Sequence, residues 1–307
     1  MKVTFDISSI LIDDRIALGA FDFDGNILAP ETPIYVLDRI SGEEIAISGH
    51  TLDKHPELIS GPEAPYRWHD DIIDSLIHFR DYHSDPRHGG PDSLKNDILK
   101  AIENNALAPS FQSLKELFLI PARFLALITS RGHGPDNLAR ILWIINEALL
   151  TKTEKEEQQE NIQKLYALLE KSETILSSDQ ALRYYFEQVV LYYPVSNPHV
   201  AKYLNIEHIS SMSERKSFAM RHAIDSLEHT LENKTELLHY PLSIGFSDDS
   251  LSNMLSVMDL FKDLKKEKHE RKYFYHLYFT GKKEDYPLLM EKSPQNEVRE
   301  NMLVLKI

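Results

Sequence analysis

The chain has 307 residues, no cysteine and a formal net charge of -14, with a pI of about 5.4. Disulfides, thiolate metal sites and cysteine nucleophiles are therefore excluded, and the overall charge repels nucleic acid and anionic membrane, so a nucleic-acid role would need a local basic patch. Apolar residues at 42% and charged residues at 27% match a soluble globular protein rather than a disordered one, and the length suits one enlarged domain, residues 1–307, carrying inserted elements.

The opening Met1–Ile7 has no long apolar stretch before a small-residue cleavage site, and no run approaches the roughly 20 apolar residues of a membrane span. The expected compartment is the cytoplasm, with export by a signal-less route as the alternative. The first buried strand is read at Ile16–Phe21, stopping at the polar Asp22-Phe23-Asp24-Gly25-Asn26; an apolar run without alternation suits a strand covered on both faces. Ile34–Asp38 and Glu44–Ile47, joined by a Gly-containing turn, read as a β-hairpin. Helices are predicted over Trp68–Ile77 and Ser93–Leu99, separated by the Pro- and Gly-rich loop Asp85–Pro91.

Phe124–Ile128 is the second strand, ending at Thr129-Ser130-Arg131-Gly132-His133, and a helix follows with Asp136 and Asn137 as its cap chemistry. From Thr151 the chain is rich in Lys, Glu and Gln with an apolar stripe of Ile162, Leu165, Leu168 and Leu169, a solvated helix or helical insertion over residues 151–185. Val189–Tyr193 is the third strand. A helix bearing Lys216 and Leu227 precedes the fourth, Leu242–Phe246, which runs into Ser247-Asp248-Asp249-Ser250; a helix over Leu251–Lys265 and a strand over Tyr273–Phe279 follow. Strands alternating with helices predict an α/β protein with a parallel, Rossmann-like sheet between helical layers.

Asp22, Asp24, Thr129, Asp248 and Asp249 all follow or end predicted strands, where the ligand crevice of an open α/β sheet forms. Crowded carboxylates repel, and a hard cation such as Mg2+ relieves them. Such a cation pairs naturally with phosphate, whose oxygens a lysine and a hydroxyl can also neutralise; Lys216 and Thr129 fit those roles.

These clusters resemble the four motifs of the haloacid dehalogenase superfamily, in its order. Asp22-Phe23-Asp24-Gly25-Asn26 is similar to the first, usually Asp-x-Asp-Gly-Thr or Val; Leu127-Ile128-Thr129-Ser130 to the second; Lys216 to the third-motif lysine; Ile244 to Asp249 to the acidic fourth. The resemblance spans Ile16 to Asn253 and implies a three-layer α/β/α fold and a Mg2+-dependent phosphomonoester hydrolase. Asp22 would be the nucleophile, forming an aspartyl-phosphate, and Asp24 the general acid and then base. Thr129 and Lys216 would hold the phosphoryl group. Asp22, the Asp24 carbonyl, Asp248 and Asp249 would hold the metal. Gly25, Asn26, Ser130 and Arg131 are expected to line the substrate phosphate, with His133 at the same mouth. Asn26 departs from the usual Thr or Val, and Lys202 and Lys234 lie in the same interval as Lys216.

The family places caps after the first motif or between the second and third; here residues 28–120 give room for a flap or cap. A small phosphorylated metabolite is the expected substrate. A phosphoprotein, notably a phosphotyrosine protein, is the alternative within the hydrolase reading, a phosphotransferase would use the same residues, and a non-catalytic partner-binding protein is the alternative outside it. Retention of Asp24 argues against the last.

Overall fold

The structure, a computed structural model, describes residues 11–81, 83–120, 123–232, 234, 237–267, 271–293, 295–299 and 301–307; the opening segment Met1–Ile7 lies outside the described residues. In chain order the elements are β1 (Ile16–Phe21), β2 (Pro33–Asp38), β3 (Glu44–Ser48), α1 (Gly49–Lys54), β4 (Tyr66–Arg67), α2 (Ile72–Ser75), α3 (Ser93–Glu103), α4 (Phe111–Leu119), β5 (Arg123–Thr129), α5 (Pro135–Leu149) and α6 (Lys152–Glu170). They continue with α7 (Ser178–Tyr184), β6 (Leu191–Pro194), α8 (Pro198–Tyr203), α9 (Met212–Glu232), β7 (Leu242–Asp248), α10 (Leu251–Glu267), β8 (Tyr273–Phe279), α11 (Tyr286–Lys292), β9 (Asn296–Arg299) and β10 (Met302–Lys306).

The main sheet has the order β6-β5-β1-β7-β8-β10-β9. Its first five strands are parallel, and β10 pairs antiparallel with both β8 and β9. The α/β class is as predicted, but the sheet is mixed. The last two strands are not foreseen from the sequence; β10 pairs antiparallel with β9, Met302 opposite Arg299, so no helical crossover announces it. The chain runs outward from β1 to β5 and β6, then returns to β7 on the other side of β1. That reversal opens a crevice at the carboxyl ends of β1, β5 and β7.

The even-numbered residues of β1 lie on the side covered by α9, while the Gly19 side meets α4 through Leu117. The apolar stripe predicted on α6 is buried in the main core at Ile162, Leu165, Leu168 and Leu169. Each such side chain contributes about 1.5–3 kcal/mol by leaving water. Reciprocal capping boxes, Thr151 with Glu154 and Ser177 with Gln180, fix the starts of α6 and α7.

Three local readings are corrected. Trp68–Ile77 is not one helix: only Ile72–Ser75 is α-helical, because Ser75 Oγ accepts from His69 N–H and Trp68, Leu76 and Phe79 pack on the small sheet. Val189 ends a π-helical turn, Tyr185–Val189, so β6 starts at Leu191. The start of α5 is capped by neither Asp136 nor Asn137; Pro135 takes the first helical position after Gly134, whose N–H donates to Asp81. The predicted hairpin is β2 and β3, which with β4 form a separate three-stranded antiparallel sheet over its own core of Ile34, Val36 and Leu52. Among the described residues no helix is long and apolar enough to cross a membrane.

Candidate active site

Asp22 immediately follows β1, Thr129 ends β5 and Asp248 ends β7. Because Phe21 is in register with both Leu127 and Ser247, these three residues sit at nearly the same height on adjacent strands. A β-strand rises about 3.3 Å per residue, so convergence across 226 positions of sequence follows from register alone.

Lys216, near the start of α9, reaches into this crevice and is 1% exposed. Its Nζ lies 2.9 Å from Asp22 Oδ1 and donates to Asp248 Oδ2 at 2.8 Å. The other candidate lysines are elsewhere: Lys202 is exposed on α8, and Lys234 donates to the Leu169 carbonyl. Burial pulls the Lys216 ammonium down, but Asp22 and Asp248 outweigh it and hold the charge firmly on the lysine. Burial also lifts the Asp22 carboxyl, against the pull of Lys216 and with Asp248 and Asp24 adding to it, to about 7.

Burial is the main cause of that elevation, and the neighbouring carboxylates add to it. Oxygens of Asp22, Asp248 and Asp249 lie within 4.8 Å of one another. An octahedral Mg2+ with bonds of about 2.1 Å needs ligand oxygens about 3 to 4.2 Å apart, and it takes oxygen donors while keeping waters. The donor set therefore fits a hard divalent cation after a small contraction, and a second positive charge would return Asp22 to its ionised form. Three hydrogen bonds fix the Asp248 carboxylate in this position. Asn253 Nδ2 donates to Oδ1 at 3.0 Å and to Oδ2 at 3.1 Å, and Ser250 N–H donates to Oδ1 at 2.8 Å. Sequence reasoning does not single out Asn253; its place in the first turn of the helix after Asp248-Asp249 is the available signal.

Thr129 is fully buried, and its Oγ1 accepts from Arg131 N–H at 3.2 Å. Ser130 is exposed at the rim and Gly25 partly so. Gly25 has φ +72, and a Cβ there would collide with the Asp249 carboxylate, so glycine is required on both counts.

Two residues expected at the substrate do something else. Asn26 is fully buried. Its Nδ2 donates to the carbonyls of Asp22 (3.1 Å) and Ser247 (3.0 Å), and its Oδ1 accepts from Ser110, Ser247 and Thr280 hydroxyls at 2.9, 3.0 and 2.9 Å. It knots the loop after β1 to β7. Arg131 is also fully buried rather than at the mouth. Its Nε donates to Asp24 Oδ2 at 2.8 Å and its Nη2 to Asp24 Oδ1 at 2.6 Å and Thr32 Oγ1 at 3.1 Å. The guanidinium sits against the Phe79 and Phe23 rings, 4.6 and 5.5 Å from their centroids. Arg131 thus joins Asp24 to Thr32 and Phe79 of the small-sheet region. His133, behind it, is 2% exposed and away from the rim.

Compared with protein-family models, with curated proteins and with solved structures, the chain matches none.

Proposed function

We propose that this chain is a Mg2+-dependent phosphomonoester hydrolase working through an aspartyl-phosphate on Asp22, a reading in keeping with its resemblance to the haloacid dehalogenase superfamily. The observation that carries it is the buried contact of Asp22 with Lys216 at 2.9 Å, beside the oxygens of Asp248 and Asp249. A nucleophilic carboxylate, a fixed ammonium and a three-carboxylate cluster are the parts that phosphoryl transfer requires. Asp22, Asp248 and Asp249 would hold the metal, with the Asp24 carbonyl completing the protein ligands. When bound, the metal supplies positive charge to the phosphoryl oxygens and to Asp22.

In the first step a carboxylate oxygen of Asp22 attacks phosphorus, the bond to the ester oxygen breaks, and Asp24 gives that oxygen a proton. In the second, water attacks the same phosphorus, Asp24 takes its proton, and the Asp22 carboxylate leaves. Lys216 holds Asp22 in place and offsets charge throughout, and the Thr129 hydroxyl donates to a phosphoryl oxygen. To act as an acid, Asp24 must free one of the oxygens that Arg131 engages. A small phosphorylated metabolite is the favoured substrate, and a phosphoprotein is the alternative. The capture of both Asp24 oxygens by Arg131 favours a second reading, a partner-binding protein that keeps the metal but not the chemistry.

The test is phosphate release from an aryl phosphate by purified protein with and without Mg2+, beside Asp22→Asn. Activity that requires Mg2+ and disappears in the variant supports hydrolysis. Folded, metal-loaded protein that releases nothing from a broad phosphoester panel would leave the partner-binding reading in front.

A further inference from the structure

The sheet is covered unevenly. On β8, Tyr275 stacks on Phe261 of α10 and Phe279 meets Tyr286 of α11, so both helices lie on the side of the odd-numbered residues. The opposite side of β7 and β8 stays partly exposed at Ser243, Gly245, Phe274, His276 and Tyr278. Pairing register extends this face across the sheet: Phe274 is level with Ser243, His276 with Gly245 and Lys306, and Tyr278 with Ser247 and Val304.

Three features of this face point to one kind of occupant. First, Phe274, His276 and Tyr278 alternate along one strand, so their rings are spaced by two residues, about 6.6 Å; the His276 and Tyr278 centroids are 6.3 Å apart with planes 26° from parallel. Second, small residues on β1 and β7, Gly19, Ser243 and Gly245 among them, leave a cavity of about 250 Å3 beside the ring of Tyr278, enough for one planar heterocycle and below the ~300–1,000 Å3 of drug-sized pockets. Third, the face is cationic although the chain carries -14. Arg15 lies 3.7 Å and Lys272 4.9 Å from the Phe274 ring centroid. Burial and then Lys306, Arg15 and Arg299 push the His276 imidazole down. Against these four cations stand Glu297, already paired with Arg299 at 3.1 Å, Glu116 at the cavity wall, and the exposed Asp13 and Asp14 in the turn before Arg15.

We propose that this face of β7, β8 and β10 binds single-stranded nucleic acid. Bases stack on His276 and Tyr278 and in the cavity beside them, while Arg15, Lys272 and Lys306 engage phosphates. Aromatic rows on an open sheet, flanked by cations, are a sequence-tolerant way to hold an unpaired strand. An acidic peptide would use the cations but not the ring spacing or the cavity. The proposal is independent of hydrolysis at Asp22.

The test is fluorescence anisotropy with a 3′-labelled 12-mer of thymidines bearing a 5′-hydroxyl, a probe with no terminal phosphomonoester. With three phosphate contacts at a slope of about -0.7 each, affinity should fall about 20-fold between 50 and 200 mM salt. Lys272→Ala with Lys306→Ala, both exposed and remote from the crevice, should lower the slope by about 1.4, and His276→Ala should weaken binding about tenfold. Absence of salt-dependent binding, or binding unchanged in the lysine double variant, would overturn the proposal. So would polyglutamate bound as tightly and equally insensitive to His276→Ala, which would assign the face to acidic polypeptide. A self-association in sedimentation that the lysine variant abolishes, without oligonucleotide binding, would assign it to a second copy of the chain.

Discussion

Arg131 and Asp24 meet side-on, Nε to Oδ2 at 2.8 Å and Nη2 to Oδ1 at 2.6 Å, across 107 positions of sequence. The arginine is fully buried and the aspartate side chain 30% exposed, so loss of the arginine opens space between Phe23 and Phe79 while the carboxylate can still turn to water. Arg131→Met should cost about 3 kcal/mol, near the low end for breaking a buried pair, as read from urea unfolding. Under the hydrolase reading it should also lower kcat about 100-fold on alkyl phosphates but far less on nitrophenyl phosphate, whose leaving group needs little proton donation. An equal loss on both would show that Arg131 does not act through Asp24.

Lys216 is the only cation in contact with two buried carboxylates, Asp22 and Asp248, among the described residues of the crevice. Lys216→Met leaves those charges uncompensated and should destabilise the protein by about 3–5 kcal/mol. Mg2+ should restore part of that loss, because a second cation on the same oxygens replaces the missing charge. Urea midpoints of both proteins with and without Mg2+ decide it: a gap that the metal leaves unchanged would mean that Asp22 and Asp248 do not share it.

Under the metal-binding reading, Asp22 would carry its pH dependence. Its folded-state pKa is raised from 3.8 to about 7, so without metal it favours the folded state fully below about pH 3.8, and that contribution is lost as pH rises to 7. A cation must displace the proton. With a pKa of about 7, Mg2+ binding should release about 0.9 proton at pH 6 and about 0.1 at pH 8. Titration calorimetry in buffers of different ionisation enthalpy measures both, and Asp22→Asn should remove the difference.

The buried Asn26 and Arg131 side chains show where sequence stops being informative. Asp22, Thr129 and Asp248 are legible because each follows or ends an apolar strand, and a parallel sheet aligns strand ends whatever separates them in sequence. Lys216 is legible less directly, as one of three lysines, preferred because the helix that follows it, Ser217 to Leu227, leads to the fourth strand; its depth in the crevice also separates it from Lys202 and Lys234. Asn26 and Arg131 sit inside the same motifs, yet their partners Ser110, Thr280, Thr32 and Phe79 lie in segments with no pattern that links them to the motifs. Direction of a side chain, inward to a partner or outward to substrate, is a property of those distant contacts. The antiparallel β10 is hidden for a related reason, since its pairing with β8 is specified by burial of Leu303 and Leu305 rather than by any crossover helix.

Asn26 then gives a prediction opposite to the one a substrate ligand would give. Its amide satisfies two carbonyls, and three hydroxyls donate to its oxygen. Asn26→Ala strands several of these in a dry site and should cost about 3 kcal/mol, measured by thermal or urea unfolding. KM for a phosphate ester should stay within about twofold, since no substrate contact is lost; a large rise in KM with unchanged stability would return Asn26 to the substrate.

His133 is one buried group through which acid should destabilise the fold. It is 2% exposed, and neither ring nitrogen has a hydrogen-bond partner among the described residues. Burial first, then Arg131, His88 and His78, push its pKa from 6.5 down to about 2. Between those values the unfolded chain takes up a proton that the folded protein refuses, so stability falls as pH drops below about 6.5. The slope from one such group is about 1.4 kcal/mol per pH unit. His133→Asn removes the titration, so the wild-type protein should lose about 1.4 kcal/mol more than the variant for each unit between about pH 6 and about pH 4, whatever the neutral-pH cost of the substitution. Urea unfolding of both proteins across that range measures the difference in slope; parallel curves would mean that His133 is protonated in the folded state, and that the space beside Arg131 accepts a second positive charge.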